Sequence, residues 1–239
     1  MPRTHYKVWS VGAPVGQGIT GAMRIGIATI AKTSSAQFPR AVANELICNH
    51  LARTLMLPCP PGALIEHAQL LYFAALDFNV RGQSLPPANP ILIVHQNPEL
   101  AWGIILFDVL IMNEDRHTSN ISHDRPSNDI QIFDHSHALL GPAGLPTPIG
   151  FARVNGLSIG NHCLAKNISL PFGFDKWVKR INLIPDYAIE DIVAEAIPTG
   201  LPPGDASLYV DALKFRRGCI ENLVRSNLVA FPLLPQGAI

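Results

Sequence analysis

Three oxygen-bearing side chains stand at an interval that could do chemistry: Asp115, then Asn120 five residues later, then Asp134 directly after the short apolar run Ile130-Gln131-Ile132-Phe133. Moving a phosphoryl group from a nucleotide to a hydroxyl asks for groups of this kind. The acceptor hydroxyl needs a carboxylate to orient it and take its proton. Magnesium needs hard oxygen ligands, one or two carboxylates or amides with phosphate oxygens completing the shell. Asp115 can fill the first role, and Asn120 with Asp134 the second. The Asp-x-x-x-x-Asn interval alone arises by chance in many chains, and Asp and Asn also favour turns and caps. Context strengthens it. The polar run Asn113-Glu114-Asp115-Arg116-His117-Thr118-Ser119-Asn120 follows directly on an apolar stretch, so it forms a loop between a core helix and a strand, two rigid supports.

The elements that must position this loop are read from periodicity and from the 21 prolines and 18 glycines that punctuate the chain. Residues 6–11 and 23–31 read as strands joined by the loop 12–21. Within that loop Gly16, Gly18 and Gly21 fit G-x-G-x-x-G, and glycines let backbone amides come close to phosphate oxygens. A strand–loop–strand setting suits a loop covering phosphates better than a dinucleotide site, which needs a helix straight after the glycines; a plain glycine turn is the equal alternative. Residues 40–57 have helical spacing, stopped by Leu57-Pro58-Cys59-Pro60-Pro61. Residues 64–65 and 70–75 read as two more strands, with helix as an alternative for the second.

Three prolines in residues 82–90 mark the best boundary in the chain. Asn97 and Pro98 then read as the N-cap and first position of a helix over residues 98–112. After the polar loop come a strand at 130–133, a Gly- and Pro-rich loop reaching residue 160, and helices at 175–181, 186–196 and 206–227. The expectation is an α+β chain with a strand-rich part, residues 1–90, a mostly helical part, residues 91–239, and a ligand cleft between them.

Composition narrows the function classes. Hydrophobic residues make up 48% and charged residues 15%, which supports a substantial core. Eighteen basic residues balance eighteen acidic ones, so no global field attracts nucleic acid or an anionic membrane. Cys48, Cys59, Cys163 and Cys219 form no CxxC pair, a usage that suits reduced thiols in a cytoplasmic protein. The first residues, Met1 to Ser10, lack the apolar run of a secretory signal. The longest apolar stretch, residues 100–112, is interrupted by Asp108 and is too short to span a bilayer.

The run from Asn113 to Asn120, followed by Ile132-Phe133-Asp134-His135-Ser136-His137, resembles the HipA-like kinases. Its Asp-Arg-His-x-x-Asn core is also similar to the loop of phosphatidylinositol 3- and 4-kinases. Upstream, Ile30-Ala31-Lys32, the run from Arg40 to Ile47 containing Asn44-Glu45, and Leu57-Pro58-Cys59-Pro60 are similar to the nucleotide lysine and acidic helix of HipA-like proteins. The similarity spans about residues 6–140, and the helical tail matches only in length and type. The resemblance implies a two-lobed protein kinase-like fold using ATP and magnesium. It makes Asp115 the catalytic base, Asn120 and Asp134 magnesium ligands, Lys32 a phosphate contact and Glu45 the ion-pair partner of Lys32. The HipA-like kinases imply a protein Ser/Thr acceptor and the lipid kinases an inositol head group; balanced charge favours the protein. Transfer of the nucleotide itself is a further possibility within this fold. Adenine contacts are expected near residues 73–77. Two departures from ordinary protein kinases are His135, which stands where Phe follows the metal Asp, and Arg116-His117, which follow the catalytic Asp where His-Arg usually precede it.

Two other classes compete. His117, His123, His135, His137 and His162 with Asp115 and Asp134 could build a metal-dependent phosphohydrolase, although no HExxH-type spacing is present. A catalytically inactive, kinase-shaped binding protein would keep the fold and lose the activity. A nucleophilic hydrolase fits worst, since there is no G-x-S-x-G elbow.

Overall fold

Short β-branched and aromatic runs between turn residues give five antiparallel strands among the described residues of the first third of the chain, with one helix between them. The computed structural model describes residues 8–15, 22–78, 87–144 and 147–239, so Gly16, Gly18 and Gly21 lie outside the described residues. Strands β1 (Val8–Pro14) and β2 (Met23–Ile27) pair antiparallel, from Val8↔Ile27 to Pro14↔Met23. Strands β3 (Thr29–Thr33), β4 (Gly62–His67) and β5 (Leu70–Leu76) form an antiparallel sheet in the order β3-β5-β4. The single strand expected over residues 23–31 is thus two strands in different sheets. The chain changes sheet at Ala28, whose carbonyl accepts from Asp77 N at 3.1 Å. The segment open to helix is β5, with Phe73 and Ala74 buried at the centre of its sheet.

Helix α1 (Ala41–Thr54) packs across all three strands of this sheet, and its residues 41–49 are buried without interruption. It ends at Thr54, before the prolines, and Met56 then takes a left-handed conformation (φ 55°). Helix α2 (Pro90–Gln96) fills residues that the sequence reading left unassigned between the proline-rich boundary and the helix expected from residue 98; the Asn89 side chain accepts from Leu92 N at 3.2 Å and Pro90 opens the first turn. Helix α3 (Pro98–Leu110) follows, with every residue from 101 to 110 buried. Asn97 sits at its N-cap position but does not cap with its side chain, which instead exchanges hydrogen bonds with Asn128 at 3.0 and 3.1 Å.

Strands β6 (Ile121–Asp124) and β7 (Asp129–Ile132) form a hairpin after the polar loop. Helix α4 (Thr147–Asn155) lies where a Gly/Pro loop was expected, and α5 (Phe174–Asn182), α6 (Asp186–Ala194) and α7 (Pro203–Arg225) complete the chain. The core centres on α3, against which α5 and α7 pack. Trp102 meets Phe174 and Phe231 with ring centroids 5.0 and 5.5 Å apart. Arg216 of α7, fully buried, donates to the carbonyls of Val109, Arg153, Val154, Gly156 and Leu157, tying the ends of α3 and α4 to the long helix. Among the described residues no helix is long and apolar enough to cross a membrane.

Candidate functional site

Helix α3 stops abruptly, and the way it stops builds the loop. Met112 is left-handed (φ 56°) and Asn113 N returns to the carbonyl of Asp108 at 2.8 Å. The Asn113 carboxamide oxygen then accepts from Asp115 N at 3.1 Å. Asn120 donates through Nδ2 to the carbonyl of Asp115 at 2.8 Å and lies 3.4 Å from its Oδ2. The five-residue interval therefore folds Asp115 and Asn120 against one another.

Beneath them lies a buried polar cluster. Asp108, the one charge in the buried face of α3, receives Arg116 Nε at 2.8 Å, Arg116 Nη2 at 3.0 Å, Asn113 Nδ2 at 2.9 Å and His162 Nε2 at 3.0 Å. His162 Nδ1 accepts from Leu164 N and Ala165 N, so the hydrogen sits on Nε2 and points at Asp108. Burial pushes the Asp108 carboxyl up, but the Arg116 charge and the His162 and Arg116 hydrogen bonds outweigh it and hold the group well below the usual carboxylate range. Arg116 Nη1 spends its remaining capacity on the carbonyls of Asn120 and Phe133, both at 2.8 Å. One guanidinium thus fastens the residue beside Asp134 to the loop that carries Asp115. Spacing and composition assign no structural role to Asp108, Arg116 or His162, although a lone Asp inside an otherwise apolar helix is itself a signal: a buried charge requires a partner.

The first part of the chain meets this loop through a lysine. Lys32 on β3 places Nζ 2.6 Å from Glu45 Oε1 on α1 and 2.6 Å from Asp134 Oδ1. Asp134 is left-handed (φ 60°), a conformation Asp tolerates better than most residues, and Ser136 Oγ donates to its Oδ1 at 2.9 Å. Burial works against the charge on all three groups, yet the cluster keeps them ionised. Asp134 falls to about 2 under the Lys32 charge, Glu45 is lowered by His135 and Lys32, and Lys32 is raised by Glu45 and Asp134.

These groups line a cleft of about 220 Å³ whose apolar lining includes Ile30, Phe73, Ala75, Leu76, Phe78 and Phe133. Three of those residues belong to the stretch 73–77 expected to contact adenine. The volume is below the roughly 300–1,000 Å³ of pockets that enclose a whole ligand, so a ligand held here would extend beyond the cleft. Among the described residues, Asn120 Oδ1 and Asp134 Oδ2 accept no hydrogen bond, because Asn120 is held through its amide nitrogen and Asp134 through Oδ1. Both are hard oxygens, the donor type that magnesium takes beside phosphate.

The histidines do not converge. His123 Nε2 pairs with Asn128 Oδ1 at 3.0 Å, His162 faces Asp108, and the His137 ring stands 6.3 Å from that of Phe38. His135 lies edge-on to Phe107 with Nδ1 3.7 Å from Glu45 Oε2, and His117 Nδ1 accepts from Ser119 N. Among the described residues no group of three or more His, Cys, Asp or Glu could hold a metal ion. The hydrolase alternative lacks its centre among the described residues, where the rings face different parts of the fold.

No family model matches the chain, and no curated protein matches it either. Solved structures do. The proinflammatory kinase CtkA of Helicobacter pylori superposes with a TM-score of 0.54 at 15% identity, over 86% of this chain and 92% of CtkA. HipA of Shewanella oneidensis, solved with HipB and operator DNA, aligns at a TM-score of 0.45 and 14% identity; 89% of this chain is covered, but only 64% of HipA. The chain has the two-lobed α+β kinase-type fold found in CtkA, the fold that its resemblance to HipA-like kinases implies.

Proposed function

We propose that this protein is an ATP- and magnesium-dependent phosphotransferase of HipA-like type, moving the γ-phosphate to a protein Ser or Thr. The observation that carries the reading is Lys32 Nζ, 2.6 Å from both Glu45 and Asp134, with Phe133, the residue before Asp134, joined through Arg116 to the loop of Asp115 and Asn120. Residues 1–90 form the nucleotide lobe and residues 91–239 the catalytic lobe in this reading. Lys32, seated by Glu45, contacts the nucleotide phosphates. Asn120 and Asp134 would hold magnesium, which neutralises charge on the phosphates when bound. Asp115, its side chain 42% exposed at the loop surface, orients the acceptor hydroxyl and takes its proton. Balanced charge favours a protein acceptor over a lipid surface, and four free cysteines favour a reducing cytoplasm.

The test is transfer of labelled γ-phosphate to protein, including the enzyme itself. Asp115→Ala is expected to lower the rate by about 10²–10⁴-fold, the usual worth of a positioned proton acceptor, with nucleotide affinity little changed. Undiminished transfer by that variant removes Asp115 from the mechanism.

A further inference from the structure

One uncharged side chain on α1 holds together the segments that supply Glu45 and Asp134. Asn44 is fully buried. Its Nδ2 donates to the carbonyls of Ser136 at 2.9 Å and Ala138 at 3.1 Å, and its Oδ1 accepts from the Tyr209 hydroxyl of α7 at 2.9 Å. Both amide hydrogens are used, and so is the oxygen, so the side chain has one orientation in which its polar groups are satisfied. The next residue on α1 is Glu45, and two residues before Ser136 stands Asp134; these are the two carboxylates that share Lys32. The Ser136–Ala138 backbone is also held from elsewhere, by Arg153 Nη2 on the His137 carbonyl at 2.7 Å and by Leu139 N on the Ile111 carbonyl at 2.6 Å. Asn44 therefore docks α1 onto a fixed platform.

We propose that Asn44 is a positioning residue: by fastening α1 to the 136–138 backbone and to Tyr209, it sets the separation of Glu45 and Asp134 at which one ammonium, Lys32, bridges both. The kinetic part of this inference rests on the phosphotransferase reading; the structural part stands without it.

Two variants test it on the full chain. Asn44→Asp keeps the size of the side chain but sets a carboxylate against two carbonyls, and Tyr209→Phe removes one hydroxyl. Hydrogen exchange of α1 amides is expected to quicken by about tenfold or more in both, with α5 and the β6–β7 hairpin unchanged. Unchanged exchange in α1, or an equal rise everywhere, overturns the proposal. In transfer assays Asn44→Asp is expected to lower kcat about tenfold with KM for ATP within roughly threefold, and to cost little more once Glu45→Gln is present. A full further loss in the Glu45→Gln background shows that Asn44 does not act through Glu45, and overturns that part. If the wild type transfers no phosphate, the phosphotransferase reading fails by itself and the exchange data alone decide the role of Asn44.

Discussion

Arg116 and Asp108 form a two-pronged ion pair, Nε to Oδ2 at 2.8 Å and Nη2 to Oδ1 at 3.0 Å, with neither side chain exposed to solvent. Because Arg116 also holds the carbonyls of Asn120 and Phe133, this pair is the anchor for both halves of the candidate site. Asp108→Asn leaves the guanidinium buried with no compensating charge. The expected cost is about 3–5 kcal/mol of folding stability, read from urea unfolding. A loss below about 1 kcal/mol would mean that the cluster relaxes or admits water, and that the loop is anchored elsewhere.

The acid limb of stability should carry the signature of Asp134. Its carboxyl titrates at about 2 in the folded chain against 3.8 ordinarily. A depressed folded value stabilises the protein fully above the ordinary pKa, and that contribution is lost as pH falls through the folded one. Between about pH 4 and pH 2, Asp134→Asn is therefore expected to lose Tm less steeply than the wild type, with the difference softened because the side chain is about a third exposed. Parallel curves would contradict a stabilising Lys32–Asp134 pair.

A glycine tests the cleft wall. A Cβ on Gly62 would lie 2.3 Å from the Phe73 ring, which lines the cleft. Gly62→Ala is expected to displace that ring, costing about 1–3 kcal/mol in stability and weakening nucleotide binding measured by calorimetry. Wild-type affinity in a destabilised variant would show that Phe73 does not contact the base.

Much of this fold and site is legible in the sequence, for a physical reason. Asp115 and Asn120 belong to one short loop whose spacing and turn chemistry fold them against one another; Lys32 joins Glu45 to Asp134 separately, and Arg116 links the two groups through the carbonyls of Asn120 and Phe133. The long apolar helix α3 also declares itself, since nothing but burial explains such a run. Elements whose identity depends on distant partners do not declare themselves. Strand β6 carries Ser122, His123 and Asp124, a polar run that reads as loop until β7 pairs with it. Helix α4 hides in a Gly- and Pro-rich stretch, and its hold on the fold comes from Arg153 and from Arg216 more than sixty residues on. His162 is visible only as one of several histidines; its partner Asp108 lies 54 residues away.

The most direct test of the nucleotide site is thermal melting of wild type and Asp134→Asn with and without Mg-ATP, each compared with its own ligand-free baseline. Ligand at about a hundredfold over Kd stabilises the folded chain by roughly 2.7 kcal/mol. For a domain of this size that is about 5–10 °C. Such a shift is expected in the wild type, dependent on magnesium and absent in Asp134→Asn. No shift at millimolar Mg-ATP, or an equal shift in both proteins, would contradict a phosphotransferase built on Lys32, Asn120 and Asp134.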